Sequence, residues 1–180
     1  MNTRHSEERS DEESMRRRDP SSPWAIQDDG IRLNDLYQEV ILDHNKRPRN
    51  FEPLPEATAV ARGVNPLCGD HFDIYLVKDA GGILQKVKFQ GDGCAISKAS
   101  ASMMTEAVKG KTGKEAGVLA GHFVHLLTDA TVKSEDRESV GKLKFFEGVK
   151  NFPIRVKCAT LAWRALEEAL KGNTNAVSTE

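Results

Sequence analysis

Apolar positions recur every three or four residues from Leu33 to Ile41, with Leu33, Leu36, Tyr37, Val40 and Ile41 on one stripe and Asn34 placed to cap it. That spacing predicts an amphipathic helix as the first ordered element. Arg47-Pro48-Arg49-Asn50 stops it, and Pro53 and Pro55 keep the next stretch extended. The period then shortens to two. Phe72, Ile74 and Leu76 alternate with Asp73, Tyr75 and Val77, Asp79-Ala80-Gly81-Gly82 supplies a turn, and Ile83, Gln85, Val87 and Phe89 alternate with Leu84, Lys86, Lys88 and Gln90. Two strands joined this way read as a β-hairpin, and Ala57 to Arg62 offers a third strand, the smallest sheet that is stable under a layer of helices.

After Gly91-Asp92-Gly93-Cys94 the period lengthens again, with Ile96, Ala99, Met103 and Ala107 in line before Gly110. Met103 and Met104 read as core filler. Thr112-Gly113-Lys114-Glu115 is a capping box for a further helix whose face carries Val118, Leu119, His122, Phe123, Leu126 and Leu127. Thr128 to Val140 reads as a polar loop and Leu143 to Val149 as a short helix. Cys158, Leu161, Ala162, Ala165, Leu166 and Ala169 form a last stripe that Gly172 ends. Strands first and helices afterwards define an α+β fold: a small three-stranded antiparallel sheet packed with several helices.

The 180 residues suffice for one domain and a tail. Residues 1–30 carry five basic and eight acidic side chains and scarcely an apolar one before Trp24. Such a segment buries too little to offset its ordering entropy, so it reads as a disordered extension. Met15, or a start nearer Ile31, is an equally good beginning. The folded domain is expected over residues 31–172, with a flexible tail over residues 173–180. The net charge of −1 argues against a broad nucleic-acid footprint, and no apolar run approaches the roughly 18 residues of a membrane span. Three cysteines are too few and too odd in number for a disulfide framework, and no apolar leader precedes them. A reducing, cytoplasmic setting is therefore expected, with thiols free or metal-bound.

Those thiols fall at element boundaries. Cys68 lies in the turn Asn65-Pro66-Leu67-Cys68-Gly69-Asp70, while Cys94 and Cys158 open helices, where the positive dipole end favours thiolate. Three buried structural cysteines are the plain alternative, but Cys68 and Cys94 sit among Gly, Asp and Pro rather than on apolar stripes. Asp70, two residues beyond Cys68, can bring a carboxylate to the same ion, although a turn cap is its other reading. Cys68, Asp70, Cys94 and Cys158 together make a tetrahedral donor set suited to zinc or iron, though their separations match no zinc-finger spacing. Arg155 and Lys157 are cations expected to lower the Cys158 pKa further. His71 adjoins the site but is left out of it, His122 reads as a core residue, and His44 is assigned to packing.

The motifs in which these residues sit resemble a known family. Asn34-Asp35-Leu36-Tyr37 through Leu42-Asp43-His44, Arg47-Pro48-Arg49-Asn50, Asn65 to Asp70, Gly91 to Ser97, Ala99 to Met104 and Arg155 to Trp163 are similar to the NifU N-terminal/IscU-like family, over about residues 31–171. Lys157, where the IscU scaffolds carry a histidine, and an insertion from about Thr128 to Lys150 resemble its SufU branch. The resemblance implies a zinc site of Cys68, Asp70, Cys94 and Cys158. It also implies transfer of persulfide sulfur from a SufS-type, pyridoxal-phosphate-dependent cysteine desulfurase for iron–sulfur cluster assembly, with a downstream SUF scaffold complex as a further partner. Cys68, on a loop that glycine lets move, is the expected persulfide acceptor, with Arg155 and Lys157 as supporting charges. The competing expectation is a scaffold that builds a [2Fe–2S] cluster on the same four residues. A purely structural zinc module would leave the mobile loop and the cations beside a thiol unexplained.

Overall fold

The computed structural model describes residues 28–173 and 176–179, with side chains from Tyr37 onward. The chain divides into two units, Met1–Asp35 and Leu36–Glu180. The first contributes only the opening turns of α1 (Asp28–Lys46) to the described residues, and the features below belong to the second. The disordered extension expected over residues 1–30 lies outside the described residues up to residue 27, while residues 28–30 are helical. Asn34 is accordingly inside α1 rather than at its cap. No proline lies between Asp28 and Asn34 to stop the helix, and a single Gly30 is tolerated.

Three strands follow: β1 (Ala59–Asn65), β2 (Asp70–Lys78) and β3 (Leu84–Asp92). β2 pairs antiparallel with both neighbours, from Asn65 opposite Asp70 to Ala59 opposite Leu76 on one side and from His71 opposite Asp92 to Lys78 opposite Leu84 on the other. Alternation puts Ala61, Phe72, Ile74, Leu76, Val87 and Phe89 into the core. Among the described residues the sheet has four strands, where the sequence pattern suggests three. β4 (Val177–Ser178), in the segment read as a flexible tail, pairs parallel with Gly63 and Val64 to give the order β3-β2-β1-β4. Two residues are too short to carry a period, so no pattern announces β4.

The helices α2 (Ala95–Val108), α3 (Gly113–Thr128) and α5 (Pro153–Lys171) bury their apolar stripes together with the sheet. Thr112 and Glu115 form the expected capping box of α3, and Gly172, left-handed at φ 78°, ends α5. Met103 and Met104 are buried. Trp163 stacks on Phe123 at 4.6 Å and donates Nε1–H to Ser100 Oγ at 3.1 Å, and that hydroxyl donates in turn to the Ala159 carbonyl at 2.6 Å. A buried aromatic with its polar atom satisfied locks α2, α3 and α5 together.

Between α3 and α5 the expected loop contains α4 (Ser134–Ser139), which buries nothing and therefore leaves no apolar signal. Its Arg137 pairs with Glu147 and its Asp136 lies 3.6 Å from His122, whose Nδ1 also contacts Ser139 Oγ at 2.6 Å. His122 is thus a partner of α4 rather than a core residue. The helix expected at Leu143 to Val149 is a 3-10 helix over Gly141–Val149, and burial of Leu143, Phe146 and Val149 at a spacing of three follows from its three residues per turn.

Gly91 lets β3 run close beside β2 just before the chain reaches Cys94. Its φ is 143°, and a Cβ there would stand 2.1 Å from the His71 carbonyl oxygen. Gly91→Ala is expected to lower stability by roughly 2–4 kcal/mol and Tm by about 5–15 °C in a thermal melt. Gly117→Ala, in α3 with nothing within 4 Å of the added carbon, is expected to be neutral or slightly stabilising.

Candidate metal centre

The β1–β2 connection is a tight turn. Leu67 N–H donates to Asn65 Oδ1 at 3.2 Å, and the amides of Cys68 and Gly69 donate to the Asn65 carbonyl at 3.3 and 2.9 Å. Gly69, at φ 73°, completes the reversal in a left-handed conformation that glycine adopts without strain. Cys68 is left exposed on the turn, while Asp70, the first residue of β2, points inward at 1% exposure. Across the sheet, the chain leaving β3 brings Cys94 to the N-cap of α2. Its side chain turns back to accept from the Ser97 amide at 3.4 Å, and the Ser97 hydroxyl lies at the same distance.

Asp70 joins these pieces, since its Oδ1 accepts the Cys94 backbone N–H at 2.9 Å. Its other oxygen, Oδ2, is buried without a hydrogen-bond partner among the described residues. Cys158 comes from the second turn of α5, at 3% exposure, with its Sγ 3.3 Å from Cys68 Sγ and 3.5 Å from Asn65 Nδ2. One ligand atom each of Cys68, Asp70 and Cys158 lies within 4.8 Å of the others. Three of the four expected donors therefore converge. Cys94 stands beside them, linked through its amide to Asp70, but its sulfur faces Ser97. Cys158 is six residues into α5 rather than at its start, because Pro153 already provides the first helical position.

That placement reverses the expected electrostatics of Cys158. Its thiol pKa is pushed far up, first by burial, then by the hydrogen bond shared with Cys68 and by the nearby Cys94 and Asp70. Arg155 does not offset this. Its guanidinium is exposed and lies 4.5 Å over the Phe152 ring, and Lys157 is only half-buried. A buried carboxylate oxygen without a donor, beside two thiols, is a costly arrangement that a thiophilic divalent cation would relieve. The donor chemistry fits zinc or iron.

The three sulfurs open into a cavity of about 500 Å³, walled by Tyr37, Gln38, Ile41 and Leu42 of α1 and by Ile154 and Arg155 of α5. The Tyr37 phenol pKa is raised by burial, which outweighs the opposing Arg155 cation. This wall is absent from the sequence pattern, which assigns α1 to packing alone. Ser97 is readable as the third residue after a cap, whereas nothing local marks Asn65 as a partner of Cys158. His71 stays exposed, its ring 3.3 Å from the Gly69 carbonyl. His44 contributes nothing to the cavity, being held at 2.8 Å by Ser102 Oγ.

With that geometry in view, comparison with known proteins identifies the class. The NifU-like N-terminal domain matches residues 36–159, and the chain belongs to that family. The zinc-dependent sulfurtransferase SufU of Bacillus subtilis strain 168 is 41% identical over 138 residues, covering 77% of this chain and 91% of that protein. The iron–sulfur cluster assembly scaffold protein IscU of Streptococcus pyogenes serotype M1 is also 41% identical, over 145 residues, covering 81% of this chain and 89% of that one. Among solved structures, FiSufU of Fervidobacterium islandicum AW-1, a candidate scaffold for the SUF system, superposes with a TM-score of 0.69 at 36% identity, covering 76% of this chain and 98% of that one. The NifU-like protein of Brucella abortus, at 23% identity and a TM-score of 0.66, shares the fold. Among the described residues no helix is long and apolar enough to cross a membrane.

In chelator-treated protein, alkylation followed by peptide mass analysis should modify Cys68 and Cys94 first and Cys158 last, because Cys158 is both buried and poor in thiolate. The folded chain holds the Cys158 proton more tightly than the unfolded chain does. Its contribution to stability is therefore complete below the ordinary thiol value of 9.0 and is lost as the pH rises above it. Denaturant melts of the metal-free protein at neutral and alkaline pH should show that loss.

Proposed function

We propose that this chain is a zinc-dependent sulfur acceptor that takes persulfide sulfur from a SufS-type, pyridoxal-phosphate-dependent cysteine desulfurase and commits it to iron–sulfur cluster assembly. The observation that carries the reading is the division of labour among the thiols: Cys68 is exposed on a glycine-containing turn, while its neighbour Cys158 is buried beside an unpartnered carboxylate. The name of the 41%-identical SufU relative supports it. Cys68, Asp70 and Cys158 would hold zinc, with Cys94 joining by rotating its side chain away from Ser97. Bound zinc would keep the coordinating thiols deprotonated.

The chain's own part in transfer falls to Cys68. Its thiolate attacks the terminal sulfur of the partner's persulfide, a new sulfur–sulfur bond forms on Cys68, and the partner's cysteine departs as thiolate. Tyr37, Ile41 and Ile154 line the approach to that sulfur. Arg155 and Lys157 are the supporting charges, favouring encounter with an acidic surface. The 41%-identical IscU relative favours a second reading, in which the same four residues hold a [2Fe–2S] cluster during its assembly.

Incubation with desulfurase and cysteine should add about 32 Da, the mass of one sulfur, to Cys68. Cys68→Ser should lose both that adduct and the stimulation of sulfide production while keeping part of the zinc. Arg155→Ala with Lys157→Ala should weaken stimulation severalfold, and more at low salt, with zinc content unchanged. A wild-type chain that gains no sulfur but readily assembles and passes on a cluster from iron and sulfide would replace the acceptor reading by the scaffold.

A further inference from the structure

Coordination of a metal does not use everything that the position of Cys158 offers. Its sulfur is 3.3 Å from Cys68 Sγ, within the range at which correctly placed atoms react. A disulfide of about 2.0 Å would require the Cys68 turn to close by only about 1 Å. At 3% exposure Cys158 is also shielded from outside thiols, so Cys68 is the sulfur it can meet. Cys94 is turned away to the Ser97 amide.

We propose that Cys158 is the resolving thiol of Cys68: it attacks the Cys68 sulfur that carries a persulfide, discharges the outer sulfur as hydrogen sulfide, and leaves a Cys68–Cys158 disulfide. The inference rests on Cys68 being the persulfide acceptor. The bond that forms joins the two Sγ atoms, and the bond that breaks joins Cys68 Sγ to the outer sulfur. The electron pair of the broken bond leaves with the outer sulfur, which keeps its own proton, takes that of the Cys158 thiol and departs as neutral hydrogen sulfide. The outer sulfur is reduced as the two cysteines become a disulfide, so one discharge needs no external reductant, and a dithiol resets the pair.

The approach of the two sulfurs sets the pace of this reaction. They must close from 3.3 Å by about 1 Å before they bond, so a persulfide on the exposed Cys68 can be passed to another protein first, and discharge is the slower exit. A metal on Cys158 ties up the attacking lone pair, so discharge belongs to the chain from which metal has been removed. The inference thereby gives the protein a way to yield free sulfide.

The test loads the full-length, chelator-treated chain with inorganic polysulfide, so that it does not depend on any desulfurase, removes the excess, and follows intact mass and released sulfide without reductant. The expected course is an adduct of about 32 Da decaying to a species about 2 Da lighter than the starting chain, with about one sulfide released per chain. Peptide mapping should link Cys68 to Cys158 and leave Cys94 alkylable. Cys158→Ser and Cys158→Ala should each keep the adduct. Persistence of the adduct in the wild type, or a disulfide that includes Cys94, would overturn the inference. Should polysulfide-loaded chains discharge as described while a desulfurase delivers no sulfur to Cys68, the acceptor reading fails and the resolving chemistry stands.

Discussion

The site depends on one buried carboxylate. Asp70 lies at 1% exposure with one oxygen held by the Cys94 amide and the other without a donor among the described residues, beside Cys68 and Cys158. Burying a charge in this way is unfavourable unless something positive completes it. The same side chain fixes where the thiols can be. As the first residue of β2 it continues the turn that carries Cys68, and through the Cys94 amide it sets the start of α2.

Around that carboxylate the rest of the fold acts as a clamp. Pairing of Asn65 with Asp70 and of His71 with Asp92 closes the sheet at the end where the cysteines emerge. Close approach at Gly91 and Gly93 lets β3 deliver Cys94, and a Cβ on Gly93 would stand 2.6 Å from Ser97 Oγ. α5 supplies Cys158 from a helix anchored by Trp163, Phe123 and Ser100. Two of the thiols thus sit on helices and Cys68 sits on a turn, a difference in placement on which both the proposed acceptor chemistry and the proposed discharge rely.

Much of this is legible in the sequence because it is written in periods and caps. Alternation from Phe72 to Phe89 marks the hairpin, and the 3.6-residue stripes and the Thr112–Glu115 box mark the helices. The positions of Cys68 and Cys94 follow from turn chemistry at Gly69 and at the N-cap of α2. Features made of long-range contact are not legible. β4 is too short for a pattern, α4 buries nothing, and the depth of Cys158 in α5 depends on where Pro153 starts the helix. The pKa of Cys158 is expected from sequence to fall and instead rises, because burial, the hydrogen bond shared with Cys68 and the nearby Cys94 and Asp70 outweigh the exposed Arg155 and the half-buried Lys157.

The central claim is that Cys68, Asp70, Cys94 and Cys158 form one metal centre, although the Cys94 sulfur must turn from Ser97 to join it. Zinc X-ray absorption on the full-length protein, with metal content measured alongside, tests this most directly. The account requires about one zinc per chain, with three sulfurs near 2.3 Å and one oxygen, and loss of one sulfur in Cys94→Ser. A protein that binds no zinc, or whose zinc is surrounded by sulfur and oxygen in the same numbers with and without Cys94, would contradict it.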